Sequence, residues 1–198
     1  MGKKSIQKLC DWQVYALAMN AVDMVKNRWR ELGYQWNVPD DAYLAKLLVA
    51  QAFQESAIDK SGPPYCGFDP AAGAGITSAT GLMQFVGKTW YDIQKRILKL
   101  PLAQQRELDA RKDAAFCMYC GCAYLVHMFD YKKTYSWKRA LRRYHDGYAE
   151  NHKDGPGYVN VILNEWFPLF DFERLAAQIV ENALEISGLV FESRKEFK

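Results

Sequence analysis

The segment from Asp109 to Tyr131 constrains the fold most strongly, because it is apolar on almost every side of a helix. A helix that is hydrophobic all round is buried in the interior of a protein. The segment therefore predicts a central helix that other helices surround. Gly121 lies in its middle and predicts a point where another backbone approaches closely.

Helical spacing of apolar residues continues on both sides of this segment and predicts a mainly α protein. With 198 residues, the chain is long enough to bury a core without the support of disulfides or metals. We predict one domain, residues 1–198, made of an N-terminal helix (1–39), a core (40–167) and a C-terminal helix (168–198). The patterns and end signals predict further helices at Ile6–Leu32, Ala42–Glu55, Trp90–Ile97, Pro156–Trp166 and Leu175–Gly188. Val38–Asp41 supplies the start signal of the helix that ends at Glu55, with an Asp cap, and Ser136 caps a short basic helix that contains Trp137, Leu141 and Tyr144.

Residues 61–81 interrupt the helical pattern. Five glycines and three prolines make this stretch too rich in turn residues for a helix. It is long enough for a small β-hairpin or an ordered loop. Long ordered loops in compact domains are often functional, so we expect this one to lie beside a binding cleft.

Glu55 is the first candidate for chemistry. Leu44 and Leu48 each lie within about 20° of Glu55 around the helix, so Glu55 continues an apolar stripe. Apolar surroundings raise the pKa of a carboxyl and let it keep a proton near neutral pH, as a general acid must. The same position also suits a Glu that reaches solvent or bonds its own helix end.

The net charge of +3 is concentrated in residues 128–154, which carry seven basic and four acidic side chains. Such a stripe favours an anionic polymer, either nucleic acid or cell wall, although a solvated helix face is the simpler interpretation. We therefore expect no nucleic-acid partner. Aromatic residues form 14% of the chain, which suits a sugar cleft and a thick core equally well.

The five cysteines predict buried thiols and not a disulfide framework. Cys117, Cys120 and Cys122 lie within one helix, and Cys10 and Cys66 are far apart in sequence. No second pair of cysteines or histidines follows at a zinc spacing, so we expect neither a metal nor another cofactor.

The N-terminus does not have the pattern of a secretory signal. Asp11 and Gln13 interrupt its only apolar stretch, and no small-residue cleavage site follows. No run of about 18 apolar residues occurs in the chain. We therefore expect a product made in the cytoplasm without stable membrane insertion, which needs help to reach any target outside the cell membrane.

Four motifs in order resemble those of the soluble lytic transglycosylases, lysozyme-like enzymes that cut bacterial peptidoglycan and are related to goose-type lysozyme. The family pattern is a catalytic Glu-Ser at a helix end, Gly-Leu-Met-Gln after a loop, a Gly-x-x-Tyr-Leu helix and a late Ala-Tyr-Asn. The matching segments, within roughly residues 40–165, are Gln54–Ser56, Ser78–Phe85, Gly121–Leu125 and Arg143–Gly147.

The resemblance implies a lysozyme-like helical fold and roles for particular residues. Glu55 matches the catalytic acid. Gln84 matches a glutamine that contacts the sugar acetamide, unless it is a loop residue bonded to the backbone. Tyr144 matches a tyrosine whose hydroxyl approaches the catalytic Glu. Met83 and Tyr124 match cleft positions that also suit the core. The implied substrate-binding residues are Ser56, Gly81, Met83, Gln84, Tyr124, Tyr144 and His145.

Three features depart from the family pattern. The loop after Glu55 is longer than usual, Ser78 stands where Gly is common, and Arg143 and His145 replace the Ala and Asn around the late tyrosine. His145 can titrate near physiological pH and make activity pH-sensitive.

The implied activity is cleavage of the β-1,4 bond between N-acetylmuramic acid and N-acetylglucosamine, with a 1,6-anhydromuramoyl product. The alternatives are a muramidase that uses water and Asp59 or Asp69, and a non-catalytic protein that binds the cell wall. The expected partner is the glycan strand of peptidoglycan. The absence of an export signal favours delivery by a phage, as an endolysin or virion component, or by a secretion machine.

Overall fold

The centre of the structure is helix α4, Ala114–Asp130, in which 12 of 17 residues are buried. The computed structural model describes residues 8–59, 61, 65–73, 79–148 and 155–188. The predicted central helix is thus confirmed, but it begins later than expected. The Asp113 side chain accepts a hydrogen bond from the Phe116 backbone and starts α4, while Leu108–Lys112 forms a separate 3-10 turn.

The described residues form seven further α-helical segments besides α4, and the protein is mainly α. They are α1 (Asp11–Glu31), α2 (Asp41–Ser56), α3 (Gly87–Asp92), α5 (Trp137–Asp146), α6 (Gly155–Asn160), α7 (Phe172–Glu181) and a last stretch at 183–188. Asp40 and Ser136 cap α2 and α5, respectively, and α1 ends just before Gly33, whose positive φ of 71° stops the helix.

Two of these helices widen into π-helical segments. Ile93–Ile97 continues α3, and Val161–Trp166 continues α6 before a 3-10 turn at Phe167–Leu169. Short π segments of this kind are frequent at functional sites. The second one follows directly after α6, whose Tyr158 contacts Glu55.

The glycine-rich segment forms turns and isolated bridges in the parts that are described. Thr80 pairs with Phe85, and Ala57 and Leu9 each pair with Phe68. The described residues contain no β-hairpin here, and residues 62–64 and 74–78, on which that prediction also rests, lie outside the described part. Gly81 has φ of 89°, and a Cβ there would lie 2.1 Å from the Arg111 carbonyl oxygen. Glycine is therefore required at this turn.

Cys10 and Cys66 form a disulfide, so the prediction of five thiols was wrong for this pair. The reason is long-range backbone pairing. The Leu9 amide donates to the Phe68 carbonyl at 2.9 Å, and the Phe68 amide donates back at 3.2 Å, which brings the two cysteines together. Cys117, Cys120 and Cys122 are buried thiols as predicted. Burial raises the pKa of the Cys117 thiol to about 12.

The N-terminal and C-terminal helices pack on the same hydrophobic core as the central ones. Tyr15 of α1 contacts Phe172 of α7, and Arg174 of α7 pairs with the buried Asp11 of α1 at 2.8 Å. Gly121 of α4 faces the side chain of Met83, which lies 2.7 Å from where a Cβ would be, and not another backbone as predicted. None of the described helices has the length and apolar character needed to cross a bilayer.

Candidate active site

Glu55 lies in the last turn of α2, on the side that faces the protein. Leu44 and Leu48 of the same stripe are fully buried, and Glu55 is half-buried. Its Oε1 accepts a hydrogen bond of 2.5 Å from the Tyr158 hydroxyl. The inward direction expected from the helical spacing agrees with this contact. The raised pKa expected for Glu55 stays a prediction.

Tyr158, on α6, is the residue that sequence reasoning missed. Its side chain is buried, and its hydroxyl also accepts a 3.2 Å hydrogen bond from Nε2 of the buried Gln51. Burial, together with the charge of Glu55 and the hydrogen bond to it, raises the pKa of Tyr158 well above its usual value. The hydroxyl therefore stays protonated and remains a donor to Glu55 at every physiological pH.

Tyr144, the tyrosine expected to approach the catalytic acid, has a different partner. Its hydroxyl donates to the Met83 carbonyl oxygen at 2.8 Å. Burial raises its pKa, and the charge of Glu55 adds to that rise, so the two side chains are near enough to interact electrostatically. Tyr144 thus belongs to the surroundings of Glu55, but the hydrogen bond to the carboxyl comes from Tyr158.

His145 packs against Tyr158, and Asp146 in turn bonds His145. The His145 ring packs against the Tyr158 ring with centroids 4.6 Å apart, and its Nδ1 lies 2.6 Å from Asp146 Oδ1. The Asp146 side chain is completely buried and also accepts from Nε of Arg142 at 3.4 Å. A Cβ at Gly155 would lie 2.2 Å from Asp146 Oδ2. Glycine therefore lets the start of α6 approach the end of α5.

The Gly-Leu-Met-Gln turn supports the site through the backbone. Nε2 of Gln84 donates to the carbonyl oxygens of Ala72 at 3.0 Å and Gly81 at 2.8 Å, and Met83 is fully buried. The amide nitrogen of Gln84 is thus used to close the turn, as in the alternative in which this residue is a bonded loop glutamine. Gln84 itself has φ of 48°, a strained backbone conformation that these two bonds stabilise.

Two other expected site residues have structural contacts. The Ser56 hydroxyl is buried and donates to the Ala52 carbonyl oxygen at 2.8 Å, which closes the end of α2. Tyr124 packs against Phe85 and Tyr144 and also lines a cavity of about 420 Å³ beside α3. Tyr124 therefore belongs both to the packed interior and to the wall of a cavity.

Asp59 and Asp69 are the carboxylates that a hydrolase would need. Asp59 is fully exposed, and hydrogen bonds from the side chain and backbone of Ser61 lower its pKa. Asp69 is half-buried, and its backbone amide donates to the Ser56 carbonyl oxygen at 3.3 Å, next to Glu55 in sequence. The Asp69 carboxyl itself accepts a hydrogen bond from the Ala71 amide at 2.8 Å, within its own turn.

The described part of the chain holds no group of three or more His, Cys, Asp or Glu side chains arranged to bind a metal ion. Comparisons of the sequence with models of known protein families and with curated proteins gave no match. The geometry around Glu55 and the four motifs in the sequence are therefore the features that point to a function.

Proposed function

We propose that this protein is a peptidoglycan lytic transglycosylase in which Glu55 acts as both acid and base. The observation that carries the proposal is the placement of Glu55. It is a half-buried carboxyl at a helix end, bonded by a buried tyrosine hydroxyl and located one loop before a Gly-Leu-Met-Gln turn. Positioned acids of this kind contribute about 10² to 10⁴ in rate.

The mechanism assigns two successive roles to the same carboxyl. Glu55 first donates its proton to the glycosidic oxygen between N-acetylmuramic acid and N-acetylglucosamine, and the bond to the anomeric carbon breaks. The resulting carboxylate then takes the proton of the muramoyl 6-hydroxyl, whose oxygen bonds to the anomeric carbon. The product is a 1,6-anhydro sugar, and no water is consumed. Because Tyr158 donates to Oε1, we assign the transferred proton to Oε2.

Tyr158 and its neighbours fix the orientation of the Glu55 carboxyl that carries this proton. A general acid works only within hydrogen-bond reach of its target, so rotation of the Glu55 side chain away from the glycan would lower the rate. The hydrogen bond from Tyr158 restricts this rotation. The His145 ring packs against Tyr158, and Tyr144 is near enough to Glu55 for the carboxyl charge to act on it.

A hydrolytic muramidase is the main alternative, and within it Asp69, whose backbone bonds the end of α2, is a more suitable second carboxylate than the fully exposed Asp59. A hydrolase needs a second carboxylate that activates or replaces water on the opposite face of the sugar. Asp69→Asn should abolish a hydrolase that depends on this residue and leave a transglycosylase active. The product also differs, because hydrolysis leaves a reducing end.

The decisive experiment is mass spectrometry of the fragments released from purified peptidoglycan. We expect anhydro-ended muropeptides from the wild-type protein and a loss of about 10² or more in rate for Glu55→Gln. Glu165→Gln is the matched control, since Glu165 is an exposed carboxyl on the π-helical segment after α6. Reducing ends would identify the muramidase. An unchanged Glu55→Gln would exclude Glu55 as the acid.

Two non-catalytic alternatives give different results. A wall-binding or assembly protein keeps its biological effect in Glu55→Gln. A nucleic-acid-binding protein retards DNA or RNA with an affinity that falls steeply as salt is added.

We further propose that the protein works outside the cytoplasm, delivered by a phage or by a secretion machine. The Cys10–Cys66 disulfide supports this setting, because disulfides persist mainly in oxidising compartments.

A further inference from the structure

A groove of about 870 Å³ lies between α5 and α6, within the size range of small-molecule sites. We call it the basic groove, and the residues that define it are Lys138, Arg139, Arg142, Asn160, Leu163 and Asn164. Neither Glu55 nor Tyr158 is among the residues that line it. The basic groove is therefore a site separate from the one at Glu55.

Two cations of the basic groove have no counter-charge in the part of the chain that the structure describes. Lys138 and Arg139 are exposed and form no ion pair with a described residue, and no described acidic side chain lines the groove. Arg142 is paired, since its Nε lies 3.4 Å from Oδ2 of Asp146. A concave surface with charge of one sign concentrates ligands of the opposite sign. The basic groove therefore favours an anion.

The three cations are close enough together to contact one anionic group. Lys138 and Arg142 are four residues apart on α5, which places their Cβ atoms about 5–6 Å from each other. Arg139 and Arg142 are three residues apart and are neighbours in the same way. A nucleic-acid strand is held by cations distributed along its backbone, whereas these three lie within five residues of one helix. They suit a single group with more than one negative charge.

The α6 side of the basic groove adds neutral donors and some apolar surface. Nδ2 of Asn164 donates to Oδ1 of Asn160 at 2.5 Å, and this bond holds the two exposed amides beside each other. Amide and guanidinium N–H groups both donate to phosphate oxygens. Leu163 is half-buried, and its alkyl group can pack against a short carbon skeleton. This combination suits an organic phosphate better than an inorganic anion.

We propose that the basic groove binds the phosphate group of a small organic phosphate, which is either a soluble ester or the headgroup of an anionic lipid. A phosphate monoester carries about 1.5 to 2 negative charges at neutral pH and three strong acceptor oxygens, enough to contact all three cations. Bound to a lipid, the groove attaches the protein to a membrane surface. Glu55 has no part in this site, so the inference does not rest on the proposed function.

The test compares soluble and lipid phosphates at the same groove. Glycerol 3-phosphate is titrated by calorimetry into the full-length protein at low ionic strength. Co-sedimentation measures binding to phosphatidylglycerol vesicles, with phosphatidylcholine vesicles as the control without net charge. We expect Lys138→Gln/Arg139→Gln to weaken binding about fivefold or more, because charge-assisted hydrogen bonds are lost. Arg142 is left in place because it pairs with the buried side chain of Asp146.

Lys88→Gln/Lys95→Gln is the matched control. It removes two positive charges from α3 and its π-helical extension and should change binding by less than about twofold, because salt screens distant charges. All four replaced side chains are exposed, so both variants keep the core intact.

The two arms of the experiment identify the source of the phosphate. Groove-dependent binding of glycerol 3-phosphate supports a soluble ester, and groove-dependent binding of phosphatidylglycerol vesicles alone supports a lipid headgroup. Equal binding by the groove variant and the control in both arms overturns the inference, as does the absence of binding in both. It is also overturned if glycerate, a carboxylate of similar size, binds the groove as tightly as glycerol 3-phosphate, or if a single-stranded oligonucleotide binds there more tightly than both phosphate probes.

Discussion

Tyr158→Phe removes one hydroxyl and two hydrogen bonds from the interior beside Glu55. The lost contacts are the 2.5 Å bond to Glu55 Oε1 and the 3.2 Å bond from Gln51 Nε2. Phe fills nearly the same space, so no cavity is created. The variant therefore tests the value of these hydrogen bonds alone.

The expected loss of stability follows from the partners. A hydrogen bond to a charged group contributes about 1.5–3 kcal/mol, and a buried polar group left without a partner costs about 1–3 kcal/mol. Gln51 is fully buried, and its Oε1 already has no partner among the described residues, so the variant leaves the amide poorly bonded. Tyr158→Phe also removes a hydroxyl that loses its bound water on folding, and this gain offsets part of the two losses. We expect a net loss of about 2 kcal/mol in the free energy of unfolding, or roughly 4–8 °C in Tm for a chain of this size.

The assay is urea unfolding at alkaline pH, where the general acid Glu55 has lost its proton and is charged, followed by tryptophan fluorescence and circular dichroism, in a double-mutant cycle. In the Glu55→Gln background the acceptor is neutral, and Tyr158→Phe should cost about 1 kcal/mol less than in the wild type. Tyr91→Phe is the matched control, because the Tyr91 hydroxyl also donates to a carboxylate, Glu107 Oε2, but on the exposed surface. It should leave the unfolding midpoint unchanged. A Tyr158→Phe midpoint equal to that of wild type would refute the reasoning.

Two further predictions concern stability. The Cys10–Cys66 disulfide closes a loop with a sequence separation of 56, so its reduction should cost about 4 kcal/mol, and unfolding with and without reductant should show this. Cys10→Ser/Cys66→Ser should not respond to reductant, and an equal reductant effect there would contradict the assignment. Burial lowers the pKa of His127 below its ordinary 6.5, so the folded state favours the neutral ring. The contribution of the neutral His127 ring to the free energy of unfolding is fully present above pH 6.5 and is lost as the pH falls through the folded pKa. His127→Gln should reduce the loss of Tm between pH 7 and pH 5, and parallel curves for the two proteins would exclude this origin.

Local signals in the sequence were enough to predict the helices. The Asp40 and Ser136 caps and the apolar spacing of α4 depend on residues a few positions apart, and the structure has each of them. The contact between Glu55 and Tyr158 joins residues 103 positions apart, and that between Cys10 and Cys66 joins residues 56 apart. No local pattern encodes such distances, because the first contact arises from packing between helices and the second from backbone pairing between Leu9 and Phe68.

The late motif, Arg143–Gly147, is another case in which a local pattern is not enough. Its role depends on the three helices and the turn that it connects. Arg143, which stands where the family pattern has Ala, is buried, and its guanidinium donates to the carbonyl oxygens of Met128 and Tyr131 at the end of α4. A cation at that end bonds the last carbonyls and interacts favourably with the helix dipole.

The next three residues then face different neighbours. Tyr144 bonds the Met83 carbonyl, His145 packs on Tyr158, and Asp146 contacts the start of α6 at Gly155. The substitutions that weaken the resemblance to the transglycosylase motif are thus the ones that fix α5 between α4 and α6. Because Tyr158 reaches Glu55 from α6, the position of the Glu55 carboxyl depends on how firmly this short segment holds α6 in place.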